Sequence, residues 1–449
     1  MGLTGIQIFK LLPKTNCGEC GVPTCLAFAM NLAAGKAELA SCPYVSDETK
    51  EQLSEAAAPP IRPLTIGVGD NAVKIGGETV LFRHEKTFVN KPGLALLISD
   101  GMDDGEIEAR LKRFKELRYE RVGLILRPEL VAVKNETGDV TKFVNLIEKI
   151  KGQTDAGLIL MSDKAEVLEA GLKACADRVP LIYAVTDGNA ETLGKLAKEH
   201  SCPLAIKADD LERLSQLTTK LEGAGIKDLV LDSGSRTLRR AFEDQVFIRR
   251  AALLKKFRPL GYPTITFPCE MTDDPMKESL IAATLVAKYA GIIVMSDFDG
   301  SSIFPLLVER MNIYTDPQRP MMMEQKIYEI GSPNESSPLM ITTNFSLTYF
   351  IVSGEIEASR IPSWLAVMDT EGLSVLTAWA AGKFVGDAMG AFIKKSGIED
   401  KIKHRKIIIP GAVAVVSGDL EEELGSDWEV MIGPREAAHL PGYLKEMWK

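Results

Sequence analysis

Four cysteines stand near the start of the chain, in the runs NCGECGVPTC and ASCPY: Cys17, Cys20, Cys25 and Cys42. Their spacing is C-x2-C-x4-C-x16-C, so three thiolates sit close together in sequence and a fourth returns from further along. Thiolates are soft ligands that take iron–sulfur clusters or zinc. Structural zinc sites usually arrive as two matched C-x2-4-C pairs, often with histidine. This pattern is asymmetric, and the nearest histidine is His84. Gly18 and Gly21 let the backbone bend around a bulky cubane, and Pro43 follows the last ligand as proline does in bacterial ferredoxin-type runs. The reading is one [4Fe–4S] cluster on all four cysteines. Zinc is the competing metal, and free or disulfide-bonded cysteines are the third reading. The remaining cysteines, Cys175, Cys202 and Cys269, are scattered and read as buried small hydrophobes in a reducing cytosol. Cys269 is the exception to watch, because it follows an apolar strand candidate and so could line a site.

A second set of residues suited to ligand binding lies at four strand ends near the C-terminus. They are Thr342, Thr343 and Asn344; Thr370, Glu371, Gly372, Leu373 and Ser374; Gly411 and Ala412; and Gly433 and Pro434. Small residues admit close backbone approach, and free N–H groups at helix starts suit a phosphate or an amide-rich ligand. No G-x-G-x-x-G or Walker A run is present, which argues against an ordinary dinucleotide or nucleotide site.

The elements that must position these groups fall into three regions. Residues 1–57 form a small four-cysteine domain, with helices expected over 4–12, 25–39 and 46–57 and a linker, AAAPP, at 56–60. So small a core implies that the cluster acts as a staple. Residues 61–320 alternate apolar strands with amphipathic helices. Strands are expected at 64–68, 94–99, 122–126, 157–161, 181–185, 203–207, 229–232, 263–267 and 291–295. Most are rich in Val, Ile and Leu without alternation, as strands buried on both faces should be. Helices are expected at 104–118, 139–151, 164–175, 189–200, 210–222, 237–257 and 276–289. The spacing fits a TIM-like (β/α)8 barrel, with one strand candidate too many; the segment from 63 to 82 holds either an entry strand or a bottom hairpin. Residues 326–449 repeat strand, turn and helix four times, which makes a small doubly wound, Rossmann-like α/β domain whose ligands bind beyond the strands' carboxyl ends. The fold class is therefore α/β in three parts. Acidic residues crowd the barrel's expected top loops: Asp100, Asp103, Asp104, Asp232, Glu270, Asp273, Asp274, Asp297 and Asp299. Helix N-capping accounts for any one of them more simply than catalysis does.

The net charge of −9 over 449 residues excludes a basic nucleic-acid footprint. No apolar run reaches the roughly 18 residues of a membrane span, and residues 1–12 do not form a signal peptide. The protein is expected to be cytoplasmic, with no membrane and no nucleic-acid partner.

The order of these parts resembles the large (gamma) subunit of the corrinoid iron–sulfur protein of the reductive acetyl-CoA pathway, also the gamma subunit of the acetyl-CoA decarbonylase/synthase complex. The resemblance rests on NCGECGVPTC…SCP, TTNFSLTYF, DTEGLSVLTAWAAGKF, PGAVA and IGPREA, and spans essentially the whole chain. It implies an anaerobic methyl-group carrier for carbon fixation rather than an independent catalyst. A cobamide (a cobalt corrinoid) would lie on the C-terminal domain, between subunits of a heterodimer. Its Co(I) state would accept a methyl group from methyltetrahydrofolate on a separate methyltransferase. The methyl group would then pass to acetyl-CoA synthase/CO dehydrogenase. The [4Fe–4S] cluster, fed by a low-potential electron donor, would reduce cobalt that has strayed to Co(II). The implied partners are thus the small corrinoid iron–sulfur subunit, the methyltransferase, the synthase and the donor.

The residues add a check of their own. Many cobalamin proteins bind cobalt through the histidine of D-x-H-x2-G. Here the only H-x2-G is His439–Gly442, with Ala437 two positions before the histidine. The cobalt should therefore have no protein histidine, and loss of an axial donor favours its electron-rich states, by the ligand logic that tunes haem. His439 reads as a surface helix residue, and Met321, Met322 and Met323 as flexible packing. Two competing readings stand beside the carrier. One is a pterin-dependent methyltransferase working through its own barrel. The other is a plain iron–sulfur electron-transfer subunit.

Overall fold

The computed structural model describes residues 4–33, 37, 39–46, 49, 53 and 58–448. By internal contacts it divides into two units: residues 1–118 with 127–314, and residues 119–126 with 315–449.

The first unit begins with the cysteine module. Thr4 caps helix Gly5–Leu11 in a reciprocal capping box with Gln7. That helix packs closely on helix Cys25–Ala33 at Gly5, where a Cβ would come within 3.2 Å of the Met30 Cα. Ile8, Leu12, Phe28, Ala29, Val45 and Leu53 make a core that also takes in Cys25 and Cys42. Most of the expected tail over 46–57 lies outside the described residues. The end of the expected linker is not free: Arg258 donates from Nη1 to the Pro59 carbonyl at 3.1 Å and from Nη2 to that of Ala58 at 3.3 Å.

Chain order then gives β1 (Leu64–Ile66), β2 (Val73–Ile75), β3 (Gly93–Ser99), β4 (Tyr119–Arg121), β5 (Leu124–Leu126), β6 (Leu130–Lys134), β7 (Gly157–Met161), β8 (Leu181–Val185), β9 (Leu204–Lys207), β10 (Leu229–Asp232), β11 (Ile265–Thr266) and β12 (Ile292–Met295). Eight of them form a parallel sheet in the order β10-β9-β8-β7-β6-β3-β12-β11, and a bridge between Leu231 and Thr264 joins its two ends into a barrel. Helices Asp104–Glu116, Val140–Gln153, Ala165–Cys175, Ala190–His200, Leu211–Gly223, Leu238–Leu254, Pro275–Ala287 and Gly300–Ile313 alternate with these strands. The last of them, which holds Pro305 inside it, was not among the expected helices.

The surplus strand resolves into two antiparallel hairpins. β1 and β2 pair with each other, and their Ile66 and Ile75 are fully buried in the barrel core beside Ala95, Leu130 and Ile159. They sit against the strands' N-terminal ends: a Cβ on Gly93 would touch Val73, and one on Gly157 would touch Ile66. This is the bottom hairpin. The strand expected at 122–126 is a correction. Val122 and Gly123, both with positive φ, form the turn of the β4–β5 hairpin. Leu124 and Ile125 are half exposed, unlike any strand buried in a barrel wall, and the wall position goes to β6 instead. The hairpin belongs to the second unit, where the Arg121 guanidinium lies 4.0 Å from the centre of the Phe350 ring.

The rest of the second unit contains β13 (Lys326–Ile330), β14 (Leu339–Thr343), β15 (Ser363–Met368), β16 (Lys406–Ile409) and β17 (Glu429–Ile432). The sheet order is β13-β15-β14-β16-β17, with β13 antiparallel at one edge and the others parallel. Helices cover both faces. One core holds Ile341, Trp364, Met389 and Ile407; the other holds Met340, Ile356, Leu365 and Leu444. Strand order reverses between β14 and β16, the switch point at which doubly wound sheets open a crevice. There the ladder is registered only at Met340 and Ile408.

One buried ion pair braces the barrel. Arg310, 1% exposed, donates from Nη1 and Nη2 to the two Glu129 carboxylate oxygens at 2.7 and 2.8 Å, and also to the carbonyls of Pro92 and Arg127. Burial by itself would raise the Glu129 pKa, but Arg310 and then Lys91 hold it below the usual value. A depressed carboxyl contributes stability above its unfolded pKa and loses it as pH falls through the folded one. Arg310→Met should therefore cost about 3–5 kcal/mol in denaturant unfolding at pH 7. The gap to wild type should narrow as pH falls below about 4. A gap unchanged with pH would show that the pair is not the source.

Candidate functional site

The four N-terminal cysteines share one module and none is in a disulfide. Cys17 is exposed, Cys20 partly buried, and Cys25 and Cys42 buried. Asn16 frames the helix start. Its Oδ1 accepts from the Cys25 N–H at 2.8 Å, and its own N–H points to the Cys25 Sγ at 3.4 Å. Gly18 and Gly21 have φ of 78° and 84°, and a Cβ on either would meet nothing within 4 Å. Their positive φ is the requirement, and the space beside the loop is open. Among the described residues no three His, Cys, Asp or Glu side chains are grouped as ligands of a single metal ion. The donor set is thiolate only, with glycine turns between the ligands, and it fits an iron–sulfur cluster.

At the switch point the four expected loops come together. A cleft of about 150 Å³ opens between the ends of β14 and β16. Its walls include Ile341, Thr342, Val352, Val375, Ile409, Pro410, Ala412, Gly433, Pro434 and Arg435. Thus Thr342, Ala412, Gly433 and Pro434 line it, while Gly411 serves the wall. A Cβ on Gly411 would meet the Gly433 carbonyl oxygen at 2.3 Å, so only glycine lets the loops after β16 and β17 approach this closely. The hydroxyls of Thr342 and Thr343 are buried and have no hydrogen-bond partner, a costly state that a polar ligand group would relieve.

The other loop residues have structural work. Asn344 Oδ1 accepts from the N–H groups of Thr370 and Gly372, each at 3.0 Å, and from the Thr370 hydroxyl at 3.2 Å; its Nδ2 donates to Asp369 at 2.9 Å. Asn344 therefore fixes the loop after β15, and the Thr370 hydroxyl is engaged inside that loop. Ser374 shares a hydrogen bond with Thr377, Leu373 is partly buried against the core, and Glu371 is exposed and pairs with Lys383. Gly372 was expected to clear space for a ligand. Its missing side chain instead faces Met322 and Pro320, at 2.7 and 2.9 Å from an added Cβ, with φ 74°. Met321–Met323 run against this edge: Met323 donates its N–H to the Asn344 carbonyl, and Ser346 donates to that of Met321. His439 is exposed, and its neighbours Ala437 and Leu440, not the histidine, line the cleft.

On the barrel, Asp103, Asp274 and Asp299 cap helices, as the simpler reading held. Asp100 accepts from Asn135, from the N–H groups of Glu136 and Thr137, and from the Thr137 hydroxyl. Burial acts to raise its pKa, but those donors keep it low. Asp232 accepts from the Tyr183 hydroxyl at 2.6 Å and from both terminal nitrogens of Arg236, which also pairs with Glu270. Cys269 is pushed up to about 12 by burial, then by Glu270 and Glu278, so it stays a thiol at neutral pH. Cys175 and Cys202 are buried, and burial raises them to about 12 and about 11. No helix among the described residues is long and apolar enough to cross a membrane.

A family model for the CO dehydrogenase/acetyl-CoA synthase delta subunit matches residues 63–444, and one for an Fe–S cluster matches residues 12–44. The chain is 47% identical over 445 residues to the corrinoid/iron-sulfur protein large subunit of Moorella thermoacetica, covering 99% of both chains. It is 39% identical to the acetyl-CoA decarbonylase/synthase complex subunit gamma of Methanopyrus kandleri, covering 99% of this chain and 98% of that one. Among solved structures, dihydropteroate synthase from Thermus thermophilus is similar at 15% identity and a TM-score of 0.40, over 56% of this chain and all of the other. The chain therefore belongs to the family of corrinoid/iron-sulfur protein large subunits and acetyl-CoA decarbonylase/synthase gamma subunits.

Proposed function

We propose that this protein is the large subunit of a corrinoid iron–sulfur methyl carrier in the acetyl-CoA pathway. It would take its methyl group through a methyltetrahydrofolate methyltransferase and yield it to acetyl-CoA synthase. The observation that carries the reading is the pairing, in one chain, of an all-cysteine donor set with a switch-point cleft that holds an unpartnered buried hydroxyl. The relatives' printed names support both cofactors and a partner subunit. When bound, the cobamide supplies a cobalt centre for methyl transfer and the cluster supplies single electrons.

The chain's own groups supply binding and exclusion. Cys17, Cys20, Cys25 and Cys42 would hold the cluster, with the Asn16 Oδ1 fixing the Cys25 backbone N–H at the helix start. At the other site, Thr342, Ala412, Gly433 and Pro434 would contact the cobamide, and Asn344 would hold the loop at 370–374 in place. With His439 exposed and off the cleft wall, no histidine here is offered to cobalt. Asp103, Asp274 and Asp299 cap helices, and Asp232 and Glu270 pair with Arg236, which favours the carrier reading over a barrel catalyst.

Cys20→Ala should abolish or convert the cluster's electron paramagnetic resonance signal. Four irons per chain with an unchanged signal in that variant would refute the ligand set. Deleting residues 1–57 keeps the Pro59 contact with Arg258. It should remove recovery from Co(II) while leaving methyl transfer by already reduced protein intact; recovery at the normal rate would give the cluster another role. Ala412→Phe fills the cleft from a partly exposed position. It should lower cobamide retention more than tenfold, read by corrinoid absorbance after gel filtration, with the melting temperature unchanged. Full retention would move the cobamide elsewhere.

A further inference from the structure

The four cysteines come from two stretches of chain, and a cluster needs those stretches at a fixed separation. Cys25 and Cys42 are buried in the module's core, so packing places them. Cys17 and Cys20 depend on a tight turn instead, in which Gly21 donates its N–H to the Gly18 carbonyl at 3.0 Å. Two polar contacts steady that turn. Before it, the Asn16 side chain accepts from the Cys25 N–H. Within it, Glu19 accepts from the Tyr44 hydroxyl at 2.7 Å.

Glu19 lies between Cys17 and Cys20, and Tyr44 lies two residues beyond Cys42. Among the described residues, theirs is the one side-chain hydrogen bond between the turn and the Cys42 segment. The module's core includes neither side chain: Glu19 is exposed and Tyr44 is half exposed. Packing therefore does not explain the pair. Glu19 also brings charge. A cubane on four thiolates gains one negative charge on reduction, and a carboxylate beside it opposes the added electron. The lower potential that results suits a centre that must reduce cobalt.

We propose that Glu19 and Tyr44 are positioning residues for the iron–sulfur cluster. Their hydrogen bond holds the turn carrying Cys17 and Cys20 against the Cys42 segment, and the Glu19 carboxylate lowers the cluster's reduction potential. This rests on the cluster reading above.

The full-length chain would be reconstituted anaerobically with iron and sulfide as wild type, Tyr44→Phe, Glu19→Gln, Glu19→Ala and the Glu19→Ala/Tyr44→Phe pair. Iron release to a chelator and the midpoint potential, followed by electron paramagnetic resonance, are the two readouts. Tyr44→Phe keeps the ring and loses the hydroxyl. It should release iron roughly fivefold faster, the worth of one hydrogen bond. The double variant should release it no faster than Glu19→Ala, because both changes remove the same bond. Glu19→Gln keeps an acceptor oxygen and loses the charge. It should hold iron as wild type does but favour the reduced cluster about threefold, a rise of about 30 mV. A role in folding alone would not move that potential. An unchanged release rate in Tyr44→Phe, additive losses in the double variant, or an unmoved potential in Glu19→Gln would overturn the proposal. A wild-type chain that assembles no iron–sulfur cluster, or takes zinc in its place, would overturn the cluster reading itself.

Discussion

Parallel strands of one sheet all end on the same edge, and the two large sheets of this protein are built on that constraint. In the barrel it gathers Asp100, Asn135, Ser162 and Asp232 beyond the carboxyl ends of β3, β6, β7 and β10. In the C-terminal sheet it gathers the loops after β14, β15, β16 and β17. The two outcomes differ because one sheet closes and the other reverses. The closed ring fills with side chains, and its upper polar groups satisfy one another. The open sheet changes direction between β14 and β16, and no strand or helix fills the gap that this leaves.

That gap keeps its shape because its borders are locked from outside the cleft. Asn344 receives three hydrogen bonds from the loop after β15 and gives one to Asp369. Gly411 and Gly433 let two loops touch through their backbones. With the scaffold's polar groups paired in this way, the lining remains apolar apart from Thr342 at depth. Satisfied neighbours around an unsatisfied group are what one expects of a preformed ligand pocket. The cysteine module follows the opposite logic. Among the described residues its buried core is eight side chains, two of them cysteines. Its cysteines are spread from exposed to buried, so a bound cluster would close the domain as well as serve it.

The sequence was most legible where a pattern has one physical cause. Unbroken apolar runs marked the strands buried on both faces, and β7, β8 and β10 lie where those runs do. It misled at 122–126, where VGLIL has a buried strand's composition but its first two residues turn the chain. It missed the helix Gly300–Ile313, which carries a proline inside it. Gly372 was legible as a glycine that the backbone needs, but not as one facing Met322 and Pro320, because the partner of a missing side chain lies elsewhere in the chain.

By itself the sequence determined the α/β class and pointed to an iron–sulfur donor set, four cysteines with no nearby histidine, since ligand softness and strand burial are properties of residue types. It also determined which loops end the C-terminal strands. Only the tertiary structure decided which members of those loops face a ligand. Thr342 and Thr343 are adjacent, chemically identical and equally orphaned, yet one lines the cleft and the other does not. The crevice opens where the strand order reverses beside β14, and which residues border it depends on which strands lie next to one another, not on any local pattern in the sequence.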